Sequence, residues 1–180
     1  MNISNKSIIP ECYIDSCLVE VLLKAGKDIV NHQKSNGKVA NEMKVKFNND
    51  FCIGIIDEDK EQLDYLKEFN EVTVTEDLKL WQRKDKLQYI IQIRPVVEKW
   101  ILKNCAAYQI DIWANYKLPA DVKELIKITK STGSRKDERF VRLFKDMLSK
   151  ECKAVMDLKK WIEYLKEKNY QADINELINV

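Results

Sequence analysis

Histidine and glycine are scarce in this sequence, and each scarcity argues against a class of functional site. His32 is the only histidine, so a zinc site of the Cys/His type or a histidine-based hydrolytic triad has too few residues to form. Only four glycines are present, and neither GxxxxGKS/T nor GxGxxG occurs, which argues against a nucleotide-binding domain of either kind. We interpret His32 as structural, because no triad partner lies near it in the sequence.

Long apolar segments are also missing. No window approaches 18 apolar residues, and the N-terminus has no apolar region of the signal-peptide type, so we expect neither a membrane-spanning nor a secreted protein. The cysteines are odd in number, scattered, and mostly inside apolar segments; they are Cys12, Cys17, Cys52, Cys105 and Cys152. This pattern is typical of reduced core residues, and it predicts a cytoplasmic protein.

A strong net charge is the third absence. The 31 Lys and Arg residues nearly cancel the 29 Asp and Glu residues, which leaves a formal charge of +2, so a polyanionic partner must be bound by a local basic patch. At 180 residues and 45% hydrophobic content, the chain can bury one core and carry an appendage. We expect an α/β domain at residues 1–118 and a helical extension at residues 119–180, packed on that domain or on a partner protein.

The segment FCIGIIDEDK, residues 51–60, has the pattern of a strand that is buried on both faces and ends in acids. Strand and helix patterns alternate around it with short links, which predicts a mostly parallel sheet flanked by helices. The predicted strands are residues 7–10, 27–33, 51–56 and 71–76, followed by a hairpin at 78–82 and 86–93. The predicted helices between them are residues 13–26, 39–47 and 61–69.

Helical patterns dominate the rest of the chain. We expect a helix that begins at Arg94-Pro95, with Pro95 in its first turn. Asp121 and Glu124 have the spacing of a capping box for a further helix. The apolar repeat of residues 141–165 then predicts two or three amphipathic helices.

Acidic residues follow two of the predicted strands. Glu11 ends the first strand, and Asp57 and Asp59 end the buried strand at residues 51–56. If these strands are parallel neighbours, their carboxyl ends meet, and the carboxylates lie close enough to hold a hard divalent ion. Asp15 lies one helical turn after Glu11 and would support such a site. The alternative is that Asp57 or Asp59 only caps the following helix.

The order of these motifs resembles the TOPRIM domain, which is shared by primases, topoisomerases, ribosomal RNA maturases and OLD-type nucleases. In that family the first strand ends in the Glu of an EGxxD motif, and a later strand ends in DxD. Here the corresponding segments are ECYID at residues 11–15 and DED at residues 57–59, with Cys12 in place of the family's Gly. The resemblance covers residues 7–95 and is closest to small OLD-like TOPRIM nucleases, to which RPVVEKW at residues 94–100 is also similar.

The resemblance implies a divalent-metal-dependent nucleic-acid phosphodiesterase, a small nuclease of the kind found in defence or mobile-element systems. Glu11, Asp57 and Asp59 would be its catalytic residues and would bind Mg²⁺ or Mn²⁺ together with Asp15. Glu98 is a weaker candidate. The chain is too short for the additional domains of a topoisomerase or primase. The basic residues expected to bind a DNA or RNA backbone are Lys34, Lys38, Arg83, Lys84, Lys86 and Arg94.

Two other functions stay open from the sequence. The first is a catalytically silent TOPRIM-like scaffold, whose helical tail binds a partner protein. The second is a receiver-like signalling domain that binds Mg²⁺ through the same acids, with Asp57 as the phosphoacceptor.

Overall fold

A computed structural model describes residues 6–24, 29–58, 63–85 and 87–179. It shows a five-stranded sheet in the spatial order β1-β2-β5-β4-β3. β1 pairs with β2 and β2 with β5 in parallel, whereas β4 is antiparallel to both of its neighbours. The predicted α/β class is confirmed, with a mixed rather than a mostly parallel sheet. The strands are β1 (Ile8–Pro10), β2 (Cys52–Asp57), β3 (Phe69–Val74), β4 (Leu78–Arg83) and β5 (Gln88–Ile93).

Helices flank the sheet and make up most of the chain beyond it. Within the described ranges, none of them is long and apolar enough to cross a membrane. The helices are α1 (Tyr13–Leu22), α2 (Asn36–Val45), α3 (Val97–Ala107), α4 (Ile112–Tyr116), α5 (Val122–Thr129), α6 (Glu138–Ser149), α7 (Lys153–Lys168) and α8 (Ile174–Asn179). Short 3-10 helices cover Asp64–Glu68, Thr132–Lys136 and Asn169–Gln171.

β2 is buried on both faces, as its apolar sequence predicted. Ile53 and Ile55 face the larger apolar core, which is formed with α1, α3 and the C-terminal helices, whereas Cys52 and Ile56 face a smaller core formed with α2. Gly54 permits close approach of α2, since a Cβ at this position would lie 2.8 Å from Met43 Sδ. The central strand is therefore held between two helical layers, and its carboxyl end has a fixed position.

The C-terminal helices pack on the N-terminal part of the chain. α6 places apolar residues at i, i+3, i+4 and i+7, and all four are buried. They join the same core as Leu18 of α1 and Trp100 of α3. Residues on both sides of Pro119 thus contribute to one core, while the domain boundary at residue 118 stays a prediction. The buried residues of α6 are Phe140, Leu143, Phe144 and Met147.

The predicted strand at residues 27–33 is reduced to a single parallel bridge between Val30 and Ile8. Residues 27 and 28 lie outside the described ranges. The backbone N–H groups of Asn31 and Gln33 donate to the carbonyls of Ile8 and Pro10 at 2.8 and 2.9 Å. This segment therefore lies along the outer edge of β1, on the side away from β2.

Two predicted helices differ in the structure. The helix expected at residues 61–69 is wrong in its described part, because residues 64–68 form only a 3-10 helix and Phe69 already begins β3. Five residues are too few to present a helical face; instead Tyr65 packs edge-on against Phe69, with ring centroids 5.0 Å apart. α3 begins at Val97, after the extended N-cap Val96, so Pro95 precedes its first turn. By contrast, Asp121 caps α5 and accepts from the Glu124 N–H at 3.0 Å, which is the Asp121 half of the predicted capping box.

Candidate functional site at the carboxyl ends of β1 and β2

The carboxyl ends of two neighbouring parallel strands bring Glu11 and Asp57 together. The register pairs Pro10 with Ile55, and the Glu11 N–H donates to the Ile55 carbonyl at 2.8 Å. The Asp57 N–H in turn donates to Glu11 Oε2 at 3.1 Å. The two acids are therefore placed by the sheet itself, as the sequence predicted for parallel neighbours.

The first turn of α1 adds Asp15 to the site. Its Oδ2 accepts from the Cys12 N–H at 3.1 Å, and its own N–H donates to Cys12 Sγ at 3.5 Å. Asp15 is only 1% exposed, and its Oδ1 has no hydrogen-bond partner in the described part of the chain. A buried carboxylate oxygen without a donor is unfavourable unless a proton or a cation meets it.

Cys12, the second residue of the ECYID segment, is accommodated without backbone strain. Its φ of −132° and ψ of 174° are extended values that any residue adopts. Burial raises the pKa of its thiol, and the negative charge of Asp15 raises it further. The neutral thiol thus serves as the N-cap of α1.

The N-terminus of α3 and the end of α5 close the other side of the site. Asp57 Oδ1 accepts from the Val97 N–H at 2.9 Å, which fixes the start of α3 against the end of β2. The next residue, Glu98, is 7% exposed and accepts a hydrogen bond from the Thr129 hydroxyl at 2.5 Å. Sequence patterns identify Glu98 only as a weak candidate and contain no signal for Thr129, because the two residues are 31 positions apart.

Burial and mutual repulsion raise the pKa values of two acids in this cluster. Burial raises the pKa of Asp15 to about 7, and the charges of Glu11 and Glu98 contribute. The pKa of Asp57 is raised to about 9. Burial is the largest cause, and the charges of Asp15, Glu11 and Glu98 raise the pKa further. Such a cluster titrates as one unit and favours whatever neutralises it, either protons or a bound cation.

The cluster opens into a cleft of about 650 Å³, a volume typical of a ligand site. Glu11, Asp57 and Glu98 are among the residues that line it. Lys34 and Lys130 also line it. A ligand in this cleft would meet carboxylates and ammonium groups together, as a phosphate with a divalent cation requires.

His32 lies in the same cleft but is held by structural contacts. The Ser16 hydroxyl donates to the Cys12 carbonyl at 2.9 Å, so Ser16 Oγ is available as an acceptor for the His32 Nδ1–H at 3.1 Å. The ring stacks on Tyr13 with centroids 4.0 Å apart. Burial lowers the pKa of His32, which favours the neutral form of the ring. These contacts join the segment after α1 to the start of that helix.

The other predicted site residues are dispersed. Lys38 is an exposed residue in the first turn of α2, where its N–H is capped by Ser35. Arg94 is at the same sheet edge as Asp57 but is bound by Glu58 at 2.9 Å and by the Thr75 carbonyl at 2.9 Å. Two further predicted residues, Asp59 of the metal set and Lys86 of the nucleic-acid set, lie outside the described ranges.

Arg83 and Lys84 are at the opposite end of the sheet, contrary to the expectation that they flank the site. β5 separates β4 from β2 and runs antiparallel to β4. The last residues of β4 therefore lie level with the start of β2, about 16 Å from Asp57 along the strand direction at 3.3 Å per residue. Arg83 is 9% exposed, and its guanidinium donates to Asp85, to Tyr65 Oη and to the Asn48 carbonyl. Four of its five N–H donors are occupied by these contacts, so the guanidinium serves the protein's own structure.

The residue types fit a hard cation, although the described geometry does not preform a complete site. Within the described ranges, no group of three His, Cys, Asp or Glu side chains is arranged to hold a metal ion. The acids nevertheless supply only oxygen ligands, which Mg²⁺ and Mn²⁺ prefer. The oxygen of Asp15 that lacks a donor and the raised pKa values of Asp15 and Asp57 also favour a bound cation.

Comparison of the chain with protein-family models, with curated proteins and with solved structures finds no match. A functional assignment therefore depends on the geometry and chemistry of the site itself.

Proposed function

We propose that the protein is a divalent-metal-dependent nucleic-acid phosphodiesterase, the activity that its resemblance to small TOPRIM nucleases implies. One observation carries the proposal: Glu11 and Asp57 are juxtaposed at the carboxyl ends of two neighbouring parallel strands, 3.1 Å apart between the Asp57 nitrogen and Glu11 Oε2. Ligands of α/β sheets bind at this edge. Carboxylates placed there are suited to Mg²⁺ or Mn²⁺.

The acids have distinct roles in this proposal. Glu11 and Asp57 would hold the ion, with Asp59 as a further ligand from the segment that follows β2. Asp15 would add negative charge behind them. When bound, the ion supplies electrophilic activation of the phosphate and lowers the pKa of a bound water. Glu11 would also accept or donate a proton, because clustered acids exchange protons as one coupled set.

Lys34 and Lys130 are the cations in position to bind the nucleic-acid backbone. Both line the cleft with the acids, and ammonium groups bind phosphates without reading base sequence. Lys34 was expected from the sequence, and Lys130 was not. Among the other expected cations, Arg83 and Lys84 are too far from the acids to bind the same phosphate.

The experiment is cleavage of end-labelled single-stranded and double-stranded DNA and RNA, with Mg²⁺ or Mn²⁺ against EDTA. We expect Glu11→Gln, Asp57→Asn and Asp59→Asn each to lower the cleavage rate at least about 100-fold, since removal of a group that stabilises developing charge has effects of this size. Binding to the same substrates should persist in all three variants. Glu71→Gln on β3, far from the cleft, is the matched control and should retain wild-type rates. Absence of cleavage by the wild-type protein under all these conditions would refute the proposal.

A second candidate, a catalytically silent scaffold, is favoured by how the same carboxylates are used. Glu11 accepts the N–H of Asp57, and Asp57 accepts the N–H of Val97. Asp15 accepts the N–H of Cys12 in a capping box. In a scaffold these acids would serve only to join strand ends to helix starts. Metal-dependent thermal stabilisation separates the two functions, because the nuclease requires it and the scaffold does not.

The receiver-like alternative has less support. Receiver domains belong to doubly wound folds of parallel strands, whereas two of the four strand pairings here are antiparallel.

A further inference from the structure

A second concave surface lies between α1, α6 and α7 and shares no lining residue with the acidic cleft. It is a groove of about 1050 Å³ that opens to solvent. The 3-10 helix Thr132–Lys136 separates the two sites: Thr132 faces the cleft, whereas Arg135 and Lys136 face the groove. The proposal for the cleft uses none of the groove residues.

The floor of the groove is apolar. Val21 of α1, Val141 and Leu148 of α6 and Met156 of α7 line it. Val141 and Leu148 are seven residues apart on one helix face, so the floor extends over two helical turns, about 10 Å at 1.5 Å per residue. Met156 is 37% exposed. An uncovered apolar strip of this length marks an interaction surface.

The rim of the groove is basic. Five cations and two carboxylates line it, an excess of positive charge larger than the +2 of the whole chain. One of the carboxylates, Glu20, is already bound by Arg135. The cations are Lys24, Arg135, Lys136, Lys145 and Lys159. An occupant of this groove therefore needs an apolar face and acidic edges.

We propose that this groove binds an amphipathic helix of a partner protein, with apolar anchors on one face and Glu or Asp along both flanks. A helix supplies anchors at i, i+3 or i+4 and i+7, the length over which the floor extends. Acidic flanks would meet the lysines of the rim and select against basic helices. This function is independent of the cleft, so it stands or falls separately from the nuclease.

The test is selection from a displayed library of 18-residue amphipathic helices, with a fixed apolar stripe and Glu or Lys at random in the flanking positions. We expect the full chain to enrich helices with Glu at the flanks. Dissociation constants of enriched peptides should rise at least tenfold against Met156→Glu and against the double variant Lys24→Glu/Lys145→Glu. Trp113→Glu, at a 60% exposed apolar residue of α4, is the matched control and should bind like the wild type.

Charge exchange makes the test specific to the rim. The same peptides with every flanking Glu replaced by Lys should bind the Lys24→Glu/Lys145→Glu variant better than the wild type. The proposal would be overturned if no helix were enriched, or if the enriched helices showed no preference for Glu. It would also be overturned if the Lys-flanked peptides bound the Lys24→Glu/Lys145→Glu variant and the wild type equally. Two other occupants would overturn it if no helix was selected. They are phosphatidylserine vesicles and, in sedimentation experiments, a second copy of the chain, in each case with binding that Met156→Glu abolishes.

Discussion

The Asp57 N–H donates to the Glu11 carboxylate at 3.1 Å across the ends of β1 and β2. The same residue accepts the Val97 N–H through Oδ1 at 2.9 Å, so Asp57 joins two strands and a helix start. The acids of the cleft therefore support the fold as well as the proposed chemistry. Isosteric variants such as Asp57→Asn keep an acceptor for Val97, whereas an alanine variant would confuse loss of structure with loss of function.

The pKa of Asp57 predicts a pH-dependent stability. This carboxyl binds its proton more tightly in the folded state, with a pKa of about 9 against about 3.9 in an unfolded chain. The folded state therefore binds more protons than the unfolded state between these values, so the free energy of unfolding falls as pH rises. Asp57→Asn should reduce this fall by at least about 1 kcal/mol between pH 5 and pH 9, in urea titrations without divalent ions. Asp64→Asn changes an exposed acid and should keep the wild-type dependence of stability on pH. The same wild-type dependence in Asp57→Asn would contradict the raised pKa of Asp57.

Divalent ions should offset the fall in the free energy of unfolding that occurs at high pH. A ligand that binds only the folded state stabilises it by RT ln(1 + [L]/Kd), about 2.7 kcal/mol at 100 times the Kd. Mg²⁺ or Mn²⁺ competes with protons for the cluster, so we expect the increase in melting temperature to be larger at pH 8 than at pH 6. Asp57→Asn should lose most of this increase in melting temperature, whereas Asp64→Asn should keep it. An equal response of both variants would refute Asp57 as a ligand.

The site was predictable from sequence where local patterns and sheet rules determine position. The apolar run of β2 identified a buried strand, and the rule that parallel carboxyl ends meet placed Glu11 beside Asp57. The hairpin of β4 and β5 followed from two β-patterned segments around Lys84 and Asp85.

The remaining features depend on contacts between distant segments. Thr129 reaches Glu98 only because α5 packs beside α3. The environment of Arg83 is set by Tyr65 and Asn48, 18 and 35 residues away. No local pattern encodes such contacts, which is why Arg83 was assigned to nucleic-acid binding on its charge alone.

Arg83 should contribute to stability and not to nucleic-acid binding. Its guanidinium donates to Tyr65 Oη at 3.1 Å and to the Asn48 carbonyl at 2.6 Å, besides its ion pair with Asp85. Arg83→Ala removes one donor from each of these acceptors and should lower the free energy of unfolding by about 2 to 4 kcal/mol in denaturant titrations. Lys84→Ala, its exposed neighbour, should change it by less than about 0.5 kcal/mol. Equal stability of the two variants would contradict the structural role.

Gly54 should be intolerant of a side chain. A Cβ there would lie 2.8 Å from Met43 Sδ and 3.1 Å from Val39 Cγ1, so α2 would have to move away from β2. Gly54→Ala should therefore lower the free energy of unfolding by about 1 to 3 kcal/mol. Gly37→Ala is the control, because a Cβ at this position in the first turn of α2 meets nothing within 4 Å. It should be neutral or stabilising by up to about 1 kcal/mol, and a similar loss in both variants would show that the packing argument is wrong.

Lys34 and Lys130 should determine how tightly the cleft binds a phosphate backbone. Both line the cleft that holds Glu11 and Asp57, whereas Lys84 lies at the far end of the sheet. Each lysine that contacts a phosphate releases a counterion, so the slope of log K against log salt should fall by about 1 for each one removed. Fluorescence anisotropy with a labelled duplex, in the Glu11→Gln background that blocks cleavage, measures this slope directly. Lys34→Ala/Lys130→Ala should lower it by about 2 and Lys84→Ala should leave it unchanged; the reverse result would place the nucleic acid at the other end of the sheet, away from the acids.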